Sequence, residues 1–256
     1  MIIVLVTIVF AKSYAIESIP ITISPDRDKV IFDGKWTFYW EWKRTSLTDL
    51  SYQDGTTMEL RTAHQGNFVY VFVDDISDTT YTKGNDNAMI CFDTKNNKST
   101  NPDSDDYCFV SVLGSSNPIT LQGNDSLALT NYFEKIPNPN NMTGVGGVSD
   151  ENDRYTPTAH TGYEFKIPTD FIGRSNNYGF YVLIHHAHDD KYYSWPENST
   201  NTGFLHIASP SKWGNLVSPD SSLPEFPIPL MILLSSLVFI SYLTRAKFKD
   251  EWSNTY

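Results

Sequence analysis

Apolar and polar residues alternate along much of the chain between residues 16 and 224, and turns rich in Asn, Asp, Gly and Pro interrupt the alternation. A period of two is strand periodicity. It predicts strands at "MELRTA", "AMICFD", "DYCFVSV", "PITL", "YEFKIP", "GFYVLIHH", "KYYSW" and "WGNLV". "WTFYWEWK" reads the same way, with Trp36, Phe38, Trp40 and Trp42 on one face as core or inter-sheet filling and Thr37, Tyr39, Glu41 and Lys43 on the other. "NFVYVFVDD" is apolar on both faces, as a central strand is when both sides of its sheet are covered. No stretch here carries a helical period. Roughly ten short strands without a helical crossover predict an all-β fold, an antiparallel β-sandwich of the jelly-roll kind. Residues 138–161, polar and carrying "MTGVGG", are expected to form an excursion loop.

The two ends break this pattern. "MIIVLVTIVFA" is apolar but for one threonine, and a small-x-small pattern at Ser13 and Ala15 follows, so residues 1–15 read as a secretory signal peptide. Residues 226–244 are nineteen positions without a charge, followed by Arg245, Lys247 and Lys249. At ~1.5 Å per residue a helix of that length spans roughly 28 Å, about the bilayer hydrocarbon thickness. A transmembrane helix is expected there, with residues 245–256 as a basic cytoplasmic tail and the preceding domain outside the cell. Residues 30–217 are then the sandwich, with 16–29 and 218–225 as linkers. The order "PEF", apolar helix, basic cluster resembles the C-terminal sorting signals of archaeal surface proteins, and that resemblance implies a sorting enzyme as a partner. Pro227 stands where those signals usually carry Gly.

Charge narrows the partners. Between the signal peptide and the tail, 15 basic residues face 28 acidic ones, a balance near −13 that argues against nucleic acid and suits divalent cations or solubility. Sequons at Asn97, Asn124, Asn141 and Asn198 predict exposed, glycosylated loops in an exported chain. The only two cysteines, Cys91 and Cys108, sit in strand-like runs joined by "TKNNKSTNPDS", the layout of a hairpin. In an oxidising compartment a disulfide between them is expected; two buried free thiols are the alternative.

"DGKWTFYWEW", "GNFVYVFVDDISDTTYTKGNDNAMICFD", "DDYCFVSV", "GYEFKIPTDFIG", "NYGFYVLIHHAHDD", "YYSWPE" and "PSKWGNL" follow one another in an order that resembles the family-nine carbohydrate-binding modules and the wider DOMON-like sandwiches. The resemblance covers roughly residues 30–217. It implies a sandwich and one of three functions: sugar binding with calcium, haem binding, or no ligand. For sugar it implies exposed aromatic rings, here Trp195, Tyr192 and Tyr193 with Tyr81 or Tyr155 opposite; Trp195 as a core residue is the alternative. For calcium, an ion of six to eight oxygen ligands, Asp75, Asp78 and Asp86 are the first choices among the strand-end aspartates, which also include Asp74 and Asp93. For haem, Met58, Met89, His64 and His185 are available.

"LIHHAHDDKYYSWP" adds a further candidate. On a strand, His186 and His188 share one face, a spacing that lets two imidazoles meet one Zn²⁺ or Cu²⁺, with His160, His206 or Asp190 as a third ligand. Polar residues at a strand end are the plain alternative. No nucleophile elbow, phosphate-cradling loop or hydrolytic zinc motif occurs. The expectation is a membrane-anchored, non-catalytic surface protein that binds a polysaccharide or envelope glycan, with Ca²⁺ as its cofactor candidate. A ligand-free structural envelope component and a metal- or haem-binding redox module are the alternatives.

Overall fold

The computed structural model describes residues 16–124, 133–197, 199, 205–220, 236, 237 and 239. In chain order the strands are β1 (Ser18–Pro20), β2 (Thr22–Ile23), β3 (Ser46–Ser51), β4 (Thr57–Gln65), β5 (Phe68–Asp75), β6 (Asn87–Asp93) and β7 (Asp106–Val112). They continue with β8 (Ile119–Gly123), β9 (Phe133–Ile136), β10 (Thr143–Val148), β11 (Thr161–Pro168), β12 (Asn177–His186), β13 (Lys191–Trp195) and β14 (Gly214–Val217). One short helix, α1 (Thr169–Ile172), joins β11 to the turn before β12.

The strands form two sheets. The first runs β1-β14-β12-β6-β7-β8-β9, with β13 also on β12; the second runs β10-β11-β5-β4-β2, with β3 also on β4. Pairing is antiparallel except at β1–β14 and β2–β4, which are parallel. The fold is therefore an all-β sandwich with mixed sheets. Residues 16–29, expected as a linker, supply β1 and β2, and so extend both sheets. "MTGVGG" is not an excursion loop but β10, paired along its length with β11. Its glycines admit close neighbours: a Cβ on Gly147 would lie 2.1 Å from the Asp33 carbonyl oxygen, and one on Gly146 2.9 Å from the Leu113 Cα.

Between the sheets lies a core of Val69, Val71, Val73, Tyr163, Phe165 and Ile167 against Ile90, Phe92, Phe109, Phe180, Val182 and Ile184. Both outer faces are also covered. Ile207, Ala208 and Trp213 lie over Met89, Cys91, Cys108, Tyr181 and Leu183 of the first sheet. Trp36 and Trp42 lie over Ala63, Tyr70 and Phe72 of the second. This double covering explains why β5 and β12 are apolar on both faces. β6 and β7 pair with Cys91 opposite Cys108, and the two form a disulfide, as the hairpin layout led one to expect.

"WTFYWEWK" is not a strand. Residues 38–44 coil into successive turns closed by local backbone bonds, and buried carboxylates tie the chain just before them and the Trp42 ring. Glu41 accepts from the Ile31 and Thr37 N–H groups at 2.8 and 2.7 Å. Glu164, on the outer face of β11, accepts from the Asp33 and Gly34 N–H groups and from Trp42 Nε1 at 2.8, 2.7 and 2.9 Å. Gly34 has φ 80° and packs its backbone onto Gly147 and Gly162, a conformation and an approach that a side chain would obstruct.

The expected signal peptide, the basic tail and Asn198 lie outside the described residues. Residues 224–256 form a second unit, described only at the helical residues 236, 237 and 239 of the expected membrane span. Among the described residues no helix is long and apolar enough to cross a membrane.

Candidate functional site

The strand-end aspartates and the histidine-rich stretch, expected as separate sites, meet at one end of the sandwich. β5 ends at Asp75 in the second sheet, and Asp78 follows in the turn; β12 ends at His186 in the first sheet, and His188 follows. His186 Nε2 donates to Asp75 Oδ2 at 2.6 Å. One ligating atom each of Asp78, His186 and His188 lies within 4.8 Å of the others. Asp78 Oδ2 accepts from the Thr161 hydroxyl at 3.1 Å, whereas its buried Oδ1 has no hydrogen-bond partner and lies 4.0 Å from His188 Nδ1. The Asp75 Oδ1 is likewise buried without a partner. His188 is the open side of the group, its side chain 32% exposed.

Burial pushes the Asp75 carboxyl up to about 6, against the pull of its bond to His186. Burial raises Asp78 too, with the neighbouring Asp86 charge adding to it. For His186 burial opposes the imidazolium, but the Asp75 bond and the charges of Asp75, Asp78 and Asp189 outweigh it, so its pKa lies above the ordinary value. Asp86 stands apart in function. Its oxygens accept from the Ala187 N–H at 2.7 Å and from the Thr82 N–H, so it ties the two loops together and has no oxygen facing the cluster unpaired.

The suggested third ligands are elsewhere. His160 is wholly buried in a second group with Asp74 and Asp153, bonded through Nε2 to Asp74 at 2.8 Å and through Nδ1 to Ser149 Oγ and the Thr158 carbonyl at 2.9 Å. Although burial opposes it, the bond to Asp74 and its charge, with the Thr158 carbonyl and the Asp153 charge, push its pKa up to about 9. Asp190 bonds His185 Nε2 at 3.0 Å. His206 stacks on Tyr192, ring centroids 3.9 Å apart. The acidic side chain that does lie beside His186 and His188 is Asp78.

The haem candidates do not face one iron. Met58 lies in the inter-sheet core, and Met89 faces the outer side of the first sheet. His64 is six residues from Met58 on β4, roughly 20 Å along a strand. Both His185 nitrogens are engaged, by Asp190 at 3.0 Å and Asn87 at 3.4 Å.

The expected sugar-stacking rings are mostly enclosed. Trp195 is 6% exposed; it packs on Phe180 and over Gly214, where a Cβ would meet its ring at 2.3 Å. Trp195 thus packs as a core residue, the alternative reading of the sequence, and offers a sugar little of its ring. Tyr192 is sandwiched between His185 and His206 at 4.3 and 3.9 Å. Tyr193 is 7% exposed and donates its hydroxyl to Asp54 at 2.8 Å. With Tyr52, Gln53, Asp54, Ser194 and Glu197 these two tyrosines line a shallow cleft. Tyr81 is exposed, and Tyr155 stands edge-on to Trp36 while its hydroxyl accepts from Arg61. Asn97 and Asn141 are exposed and Asn124 half-buried.

The open aromatic pair is one the sequence pattern assigned partly to the core. Trp42 is locked inward, stacked on Phe72 at 5.2 Å, and Trp36 is buried with Nε1 bonded to the Phe38 carbonyl at 2.6 Å. The turn between them pushes Tyr39 and Trp40 outward, 57% and 55% exposed, their rings edge-to-face at 4.7 Å. Lys43 Nζ lies 3.9 Å from the Tyr39 ring centre and 4.7 Å from that of Trp40. Arg44 lies over Trp40 at 5.5 Å and Arg154 over Tyr39 at 5.7 Å. Hollows lie on either side, one lined by Pro25, Lys29, Glu41 and Arg44, the other by Thr37, Asn152 and Arg154.

No protein-family model and no curated protein matches the chain. Two solved structures are similar to it in outline. One is a family 9 carbohydrate-binding module from Caldicellulosiruptor kristjanssonii in complex with cellotriose, 15% identical, covering 82% of this chain and 100% of that one at a TM-score of 0.46. The other is a family 9 module from the same organism in complex with glucose, 14% identical, covering 79% and 95% at 0.48. No residue role passes from them to this chain.

Proposed function

We propose that the chain is a non-catalytic glycan-binding surface module, held at the membrane by residues 226–244, and that it takes sugar on the Tyr39–Trp40 turn. The observation that carries this reading is the open aromatic pair set among Lys43, Arg44, Arg154 and Asn152. Sugar rings present apolar C–H faces to aromatic rings, while their hydroxyls need donors and acceptors at the rim. A turn anchored from beneath by Glu41, Glu164 and Trp42 gives such a surface a fixed shape, which lowers the ordering cost of binding. The nineteen uncharged residues before Arg245 and the Cys91–Cys108 disulfide support an anchored module facing an oxidising exterior.

The test is a glycan array probed with the detergent-purified full-length chain, followed by titration of any hit against Tyr39→Ala and Trp40→Ala. Each variant is expected to weaken binding by roughly 10-fold or more, as loss of a central aromatic contact does. An array without hits, or a hit that both variants bind as the parent does, rejects the reading.

A further inference from the structure

We propose that Asp78, His186 and His188 bind one transition-metal cation of the Zn²⁺ or Cu²⁺ kind, which pins the two sheets together at this end of the sandwich. The site does not depend on the glycan reading.

The donor set points to the ion class. Two imidazoles and one carboxylate suit a late first-row divalent cation, whereas Ca²⁺ takes six or more oxygens. Asp86, expected as a calcium ligand, has its oxygens held by the Ala187 and Thr82 N–H groups and is not among the three clustered side chains, and the two imidazoles add no oxygen to a calcium shell.

The unpartnered Asp78 Oδ1 is the observation that asks for a ligand. Its side chain is 0% exposed, and a buried carboxylate oxygen without a donor is costly unless something positive meets it. Ligand atoms around a tetrahedral zinc at about 2.1 Å lie roughly 3.4 Å apart. Each of the three side chains places a ligating atom within 4.8 Å of the others; His188, on the exposed turn after β12, can approach by a change of rotamer, while Asp78 and His186 must draw together by about an ångström to reach that spacing.

Asp75 completes the arrangement. A carboxylate that accepts from one ring nitrogen of a histidine fixes its tautomer and leaves the other nitrogen its lone pair, the pairing that orients metal-bound histidines. The second group, Asp74, Asp153 and His160, lacks this opening: both His160 nitrogens are engaged and its ring is wholly buried.

The test strips the full-length chain with EDTA, then titrates Zn²⁺ by calorimetry, with Co²⁺ absorption as a report on coordination. One ion per chain is expected. His188→Ala, at an exposed position, and Asp78→Asn, which keeps an acceptor for Thr161, should each weaken binding at least 10-fold and abolish the Co²⁺ ligand-field bands. His185→Ala, on the opposite face of β12, should leave both unchanged, and millimolar Ca²⁺ should not displace Zn²⁺. Absence of Zn²⁺ binding, equal binding by the His188 and Asp78 variants, or displacement by Ca²⁺ overturns the proposal. A metal-free melt of each variant matching that of the stripped parent separates loss of ligands from loss of fold.

Discussion

His186 Nε2 and Asp75 Oδ2 lie 2.6 Å apart, although 111 residues of chain separate them. Asp75 ends β5 in one sheet and His186 ends β12 in the other, so this buried bond is a direct polar tie across the sandwich.

Removing one member of such a pair leaves the other buried and uncompensated. Asp75→Ala is therefore expected to cost about 3–5 kcal/mol in urea unfolding. A double variant, Asp75→Leu with His186→Leu, should lose less than the sum of the single losses, because no orphan remains. Additive losses would show that the bond couples nothing.

Trp195 is a packing residue in this fold. Its ring fills the space over Gly214 and beside Phe180, so Trp195→Ala should destabilise by about 3–5 kcal/mol, as buried aromatic truncations do. Any loss of glycan binding should then follow the unfolded fraction. Trp40→Ala should leave the melting temperature nearly unchanged. A stable Trp195→Ala variant with selectively lost sugar affinity would return that ring to the binding site.

The disulfide closes a hairpin loop with a sequence separation of 17 between Cys91 and Cys108. Cross-linking a loop of that size limits the unfolded chain by about 3 kcal/mol. Cys91→Ala/Cys108→Ala should lower the urea midpoint accordingly, and reductant should then have no further effect. A midpoint equal to that of the oxidised parent would mean that packing of Cys91 and Cys108 beneath Trp213 supplies the stability instead.

Asp106 gives a pH dependence with a definite sign. Burial, reinforced by Asp93, Asp103 and Asp105, pushes its carboxyl from 3.8 up to about 7, although the Asp103 N–H bond opposes this. Between those values the unfolded chain has released a proton that the folded chain keeps. Stability therefore falls as pH rises through that window, and the penalty is complete above about 7. Asp106→Asn keeps an acceptor for the Asp103 N–H without the charge. Its melting temperature should gain on the parent steadily from pH 4 to pH 7, and a constant difference across that range would be inconsistent with this assignment.

Local pattern determined a large part of this fold. Two-residue periodicity, and for β5 a run apolar on both faces, places the strands from β4 to β8 and from β11 to β14, because which face a side chain takes is settled within the strand itself. The same rule put His186 and His188 on one face, and a hairpin layout put Cys91 opposite Cys108. What the pattern did not decide was which faces meet. The aspartates after β5 and the histidines after β12 became one cluster only because the two strands belong to opposite sheets whose ends coincide. Trp36, Phe38, Trp40 and Trp42 alternate as a strand would, yet among the described residues no strand pairs with them. Local turn bonds close the segment instead, while Glu41 holds the Ile31 and Thr37 N–H groups and Glu164, more than a hundred residues away, holds those of Asp33 and Gly34 and the Trp42 indole, so that Trp42 turns inward and Trp40 outward. Alternation is a property of the chain; a partner for the backbone, and an enclosed or open side for a ring, exist only once distant segments have come together.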